Sequence, residues 1–251
     1  MKTLKDFATA VNLRTLSVSA ISILATVFCI EKGIFAEIPI SLIGLSVVFP
    51  VVFTIGASFR RRDVAIEEYG KLSANLSALY MISKFHQDND EETINIDLVE
   101  LRKIINGLFE KIQFDIKDTK FSSSNKTVIY EQYDKLFNKV LPLNPLYPSV
   151  SFFLTDTIAA YETLSGISDY RTPVALKAYS KIFMTIFPII FAPYFASLSN
   201  EFFLVGIAVS FFYSVALLTL SNIQDNIENP FDGQGLDDLK FDRENRFLYC
   251  L

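Results

Sequence analysis

Leu45, Phe49 and Phe53 recur every fourth residue inside a stretch, Ile38 to Phe59, that carries no charge. Large apolar side chains at that spacing share one face of a helix. Such a face makes and breaks no bonds, and on a lone helix it is ordinary packing. Repeated around an axis by identical subunits, it becomes a hydrophobic constriction. An ion entering a constriction of that kind must shed water without compensation, so it gates by dewetting. The slightly positive edge of a phenylalanine ring favours an anion there.

Bond-making chemistry has little to work with. No Ser, Thr or Cys sits in a nucleophile motif, and the single histidine, His86, closes a charged helical stretch where a solvated surface position is expected. Cys29 and Cys250 fall in an apolar run and at the C-terminus, too few for a structural zinc site and poorly placed for a disulfide. The acids of the middle region alternate with lysines, as on a solvated helix face. No metal or cofactor is required by these residues, and enzyme activity is not expected. A net charge of −5 argues against a nucleic-acid partner.

The elements that would position the stripe are membrane helices. Four spans are expected, at about 13–36, 38–59, 177–197 and 202–224, because a helix needs roughly 20 apolar residues to cross a bilayer. The first run follows Lys2, Lys5 and Arg14, a layout shared with secretory signals; an uncleaved helix is the preferred reading. Pro50 removes a hydrogen bond from the second run and can kink it. Lys2, Lys5, Arg14, Arg60 to Arg62, Arg171, Lys177 and Lys181 flank the spans on one side, against Lys32 on the other. By the positive-inside rule both termini and the middle region are cytoplasmic. The interiors of the second, third and fourth spans carry no ionisable group, which speaks against a proton-coupled pump. With no tryptophan in the chain, an interfacial belt must come from its 11 tyrosines.

The region between the hairpins reads as helices. The second span is expected to continue out of the membrane as an amphipathic helix carrying Val64, Leu72, Leu76 and Leu79. Leu98, Leu101, Ile105, Leu108 and Ile112 form a stripe at helical period, with Asn95 or Asp97 as its cap. Ser122 to Asn125 reads as a polar turn, Tyr130 to Val140 as a short helix ended by Pro142, Pro145 and Pro148, and Val150 to Leu164 as a further helix. The fold class is therefore an all-α membrane protein: a hairpin over 1–59, a cytosolic helical domain over 60–172, a second hairpin over 173–226 and a tail over 227–251.

Several landmarks, in order, resemble the bestrophin family of ion channels. An apolar second span ends in Phe59-Arg60 and runs into a polar helix. Thr172-Pro173-Val174-Ala175-Leu176, followed by Tyr179, is similar to the family's lead-in to its third span. Ile227-Glu228-Asn229-Pro230-Phe231, then Gly233 and Asp237-Asp238-Leu239, is similar to its segment after the fourth span and is the most specific of the three. The likeness spans most of the chain and is weak over about 85–145.

The resemblance, of prokaryotic type, implies a homopentamer around a central pore passing monovalent ions, with chloride or other anions favoured and cations the alternative. Its self-association, the lipid bilayer and the permeating ions are the implied partners, and a cell membrane the implied location. The second span would line a neck, which Leu45, Phe49 and Phe53 match in spacing, with a register shifted to Val48 and Val52 left open. A second, cytosolic aperture would fall near Leu146. Animal members bind Ca²⁺ after the Asn-Pro-Phe; here Asn229, Asp237 and Asp238 remain, but Gln234, Gly235 and Leu236 dilute the cluster, so bracing of the tail is the competing role. The chain also departs from the family after Arg60, where it reads Arg61, Arg62, Asp63, Val64. A non-conducting membrane scaffold is the rival reading.

Overall fold

A computed structural model of the chain describes residues 11–37, 40–89, 96–117, 123–170, 173–199, 202–233 and 238–239, with 40–51 and 123–124 described by backbone only. Every regular element among them is helical: α1 (Leu13–Lys32), α2 (Ile40–Asn89), α3 (Leu98–Lys117), α4 (Ser123–Val140), α5 (Ser149–Asp169), α6 (Val174–Ile190), α7 (Ala192–Ser197) and α8 (Phe203–Glu228), with a 3-10 turn at Leu141–Leu143. Helices α1 and α8, and the α6–α7 pair, are each long and apolar enough to cross a membrane. The chain divides into two units, Met1–Arg60 with Thr172–Glu228, and Arg61–Arg171 with Asn229–Leu251. Helix α2 gives its first part to the former and the rest to the latter.

In the first unit α1 is capped at both ends. The Asn12 side chain accepts from Thr15 N, and Gly33 closes the helix at φ 65°, a left-handed conformation that glycine adopts without a steric penalty. The expected third span is two pieces. Pro193 has no N–H to offer the carbonyl four residues back and its ring crowds that carbonyl, so α6 ends at Ile190 and α7 begins at Ala192. Carbonyls released at such a break need donors when no water is present, and Ser22 of α1 donates to Pro188 O at 2.7 Å. Pro50, by contrast, does not end α2, which runs through it.

The second unit is built on helical stripes. Leu72, Leu76 and Leu79 of α2, Leu101, Ile105, Leu108 and Ile112 of α3, Leu136 of α4, and Leu154, Tyr161 and Leu164 of α5 form one buried core. Asp97 caps α3: its Oδ1 accepts from Val99 N at 2.9 Å and Glu100 N at 3.0 Å. These bonds, led by that from Glu100, hold its carboxyl below the usual carboxylate range. Asn95 lies outside the described residues.

Three expectations change here. Helix α4 begins at Ser123, so residues 123–125 of the expected polar turn belong to its first turn. Helix α5 runs on to Asp169. His86 is buried, at 0% exposure, not solvated. It falls on the face that already holds Leu72, Leu76, Leu79 and Ser83, because α2 keeps its period to Asn89 and carries the ring into the core. The ring stands edge-on to Tyr147 with centroids 5.9 Å apart, and neither ring nitrogen has a hydrogen-bond partner.

Candidate functional site: one face of α2 and the polar contacts behind it

Helix α2 is two-sided within the first unit. Val52 and Phe53 are exposed, at 59% and 62%, and so are Gly56, Phe59 and Arg60. Thr54 and Ser58 are fully buried. Each residue turns a helix by about 100°, so Thr54 and Ser58 share one side and the exposed positions share the other.

The buried side is polar, and its partners come from two other helices. Thr54 Oγ1 donates to Gln224 Oε1 of α8 at 3.1 Å and lies 3.3 Å from Ser180 Oγ of α6. Ser180 Oγ donates to the same Gln224 oxygen at 3.4 Å. Ser58 Oγ turns back to Thr54 O at 3.1 Å. Gln224 is 2% exposed. A buried amide oxygen is costly unless donors reach it, and here two hydroxyls do.

Further polar seams bind the same unit. Asn222 of α8 donates to Thr15 Oγ1 at 3.0 Å and accepts from Asn12 at 3.1 Å. Ser22 and Thr26 of α1 meet Ser210 of α8 at 2.8 and 3.1 Å. Small hydroxyl residues let apolar helices approach closely and bond across the gap, as membrane helix interfaces do. Lys177 and Lys181 of α6 face Asp225 and Glu228 of α8. Lys181 Nζ is 2.8 Å from Asp225, and Lys177 pairs with Glu228.

No family model matches the chain, and no curated protein matches it. Solved structures do. A single-substitution variant of a bacterial bestrophin homologue from Klebsiella pneumoniae superposes with TM-score 0.75 at 16% identity, over 94% of this chain and 97% of that one. The form phased on zinc gives TM-score 0.74 at 16% identity, covering 94% and 96%. Another variant gives 0.73 at 16% identity, covering 94% and 97%. The chain has a bestrophin-like fold.

Within that fold the sequence-derived residues are placed unevenly. Leu45 and Phe49 lie on α2, in the part described by backbone alone. Phe53 is on the exposed side. Leu146 is 49% exposed in the turn after the 3-10 segment, its N–H donating to Leu143 O at 3.0 Å. Asn229 uses its side-chain oxygen on its own backbone, accepting from Phe231 N at 3.3 Å. Phe231 enters the core of the second unit, Leu239 N donates to Pro230 O at 2.9 Å, and Gly233 turns the tail at φ 70°. Asp237 lies outside the described residues, and Asp238 is half-buried.

Among the described residues no three His, Cys, Asp or Glu side chains group together. The tail is braced by Phe231, inside the core of the second unit, and by the Pro230–Leu239 bond. Arg61, in the segment that departs from the family, donates to Tyr170 O and Ile167 O at 2.6 Å each. It thereby satisfies carbonyls at the end of α5, where a cation is favoured. Sequence reading missed Gln224 and Arg61 in these roles. The available signal was Thr54 and Ser58, two hydroxyls four apart on the side of α2 away from Phe53.

Proposed function

We propose that this chain is the subunit of a homopentameric, bestrophin-type channel that passes monovalent ions down their gradient, chloride and other anions favoured. Four spans cross a cell membrane: α1, the first part of α2, α6 with α7, and α8. Residues 60–172 form the cytosolic domain, and both termini are cytoplasmic. The protein is not an enzyme. Leu45, Phe49 and Phe53 line the neck, and Leu146 borders a second aperture on the cytosolic side.

The observation that carries this reading is the two-sidedness of α2. Taking position 45 as origin, the centre of the 45, 49 and 53 positions lies about 160° from that of Thr54 and Ser58, whereas positions 48 and 52 centre only about 120° away. By helix phase the first register is centred farther from the buried contacts, and the exposed arc holds Phe53 of that register and Val52 of the other. Val52 and Phe53 give that arc an exposed apolar stretch, and a dewetting neck requires one.

Cation conduction has an observation of its own: Asp63 and Glu67, paired with Arg62 and Lys71 but 70% and 65% exposed, present carboxylates to solvent on the same helix. Planar-bilayer recording decides. Under asymmetric NaCl the reversal potential takes the sign of the chloride gradient for an anion channel and of the sodium gradient for a cation channel, and Phe53→Ala raises the current. Silence across several salts and voltages, with a monomer on native mass measurement, selects the non-conducting scaffold.

A further inference from the structure

We propose that Thr54, Ser180 and Gln224 form a rotational clamp that sets which face of α2 is presented to the conduction path. The proposal takes its functional meaning from the channel reading, but the clamp itself is a statement about helix rotation. Three observations support it. First, the three side chains are almost fully buried, so their polar atoms have no recourse to water. Secondly, one acceptor, Gln224 Oε1, takes hydroxyls from two different helices. It therefore ties α2 to both α6 and α8. Thirdly, the clamp sits on the side of α2 opposite the exposed arc. An apolar helix surface in an apolar surround slides and turns at little cost, since one greasy residue replaces another. A directional bond to a buried amide does not permit that, because a turn of one residue carries Thr54 about 100° from its acceptor. Buried polar groups that fix register rather than add stability are well attested between helices.

Gln224, Thr54 and Ser180 are thus positioning residues, acting on the ion through Phe53 and its neighbours. The clamp predicts a separation of stability from orientation. Gln224→Leu alone removes the buried acceptor that the two hydroxyls share. The all-apolar set, Thr54→Val with Ser180→Ala and Gln224→Leu, removes the two hydroxyls together with their shared acceptor and should hold the fold nearly as well.

The test uses full-length protein reconstituted in lipid, with Cys29 and Cys250 replaced by serine. Phe53→Cys and Val52→Cys are introduced separately, and their rates of modification by a charged, water-soluble thiol reagent are read by mass spectrometry. With the clamp intact the rate at 53 exceeds that at 52. The all-apolar set should change that ratio at least threefold while the unfolding temperature stays near the parent's, and Gln224→Leu should change it in the same direction. An unchanged ratio in both backgrounds overturns the clamp. Absence of current from the parent protein would strike the channel reading and leave the labelling ratio to judge the clamp by itself.

Discussion

The Lys177 ammonium pairs with the Glu228 carboxylate, joining the first turn of α6 to the last turn of α8, and Glu228 is only 4% exposed. An acid this deep depends on its partner. Lys177→Met should therefore lower stability by about 3 kcal/mol, near the bottom of the range for breaking a buried pair because part of the lysine remains in water. Adding Glu228→Gln should recover much of the loss, since no charge is then stranded. Thermal unfolding in detergent, run as a double-mutant cycle, measures both. Equal losses for the single and double variants would show that the pair contributes packing alone.

A different kind of packing constraint operates where α7 meets α8. A Cβ placed on Gly206 would collide with the backbone carbonyl of Phe195 and with the Ser199 side chain. Backbone cannot move aside as a flexible side chain does. Gly206→Ala is expected to cost about 1–3 kcal/mol through overpacking. Gly166→Ala, where nothing crowds the added carbon, is the control and should leave stability unchanged or slightly raised. Parallel melting curves check the contrast.

His86 makes the opposite prediction. Its ring is fully buried and both nitrogens lack hydrogen-bond partners, a desolvation cost with no return. His86→Leu should be neutral or stabilising. A loss above about 1 kcal/mol would instead show that the ring's contact with Tyr147 outweighs that cost.

The tyrosines of the second unit give it an alkaline limit. Tyr130 donates to Glu162 at 2.6 Å, and that bond, then burial, pushes its phenol up to about 12. Burial pushes Tyr133 up strongly, and burial followed by the bond to Asp115 does the same for Tyr161. A raised folded-state value means that the native protein keeps protons the unfolded chain has released. The slope of stability with pH is then negative. The contribution is complete below pH ~10, the ordinary phenol value, and is lost as pH climbs toward 12. Phenolate absorbance and helical circular dichroism recorded together should change together over this range. Three phenols ionising near 10 with helicity intact would contradict the assignment.

The sequence announced the parts of this fold that depend on local repetition. The Leu98–Ile112 stripe repeats every three or four residues, and α3 follows from it directly. Helix α2 was legible from Val64 to Leu79 for the same reason, yet His86 was misjudged: residue type suggested water, while helical phase, which does not depend on polarity, put it in the core. Pro193 was visible, but whether a proline bends a helix or ends it depends on donors elsewhere, here Ser22. The Thr54–Gln224 contact was beyond local reading altogether. Its partners lie 170 residues apart, and each taken alone is an unremarkable polar residue in an apolar run. Asn229-Pro230-Phe231 was legible as a landmark, but its work, driving Phe231 into the core, follows from the tertiary fold.

Imaging the purified protein in lipid at side-chain detail tests the central claim most directly. The account predicts five identical subunits around one axis, with Phe53 of α2 turned toward that axis and Thr54 turned away from it. Solitary subunits, or a ring whose centre is lined by another helix, would contradict it.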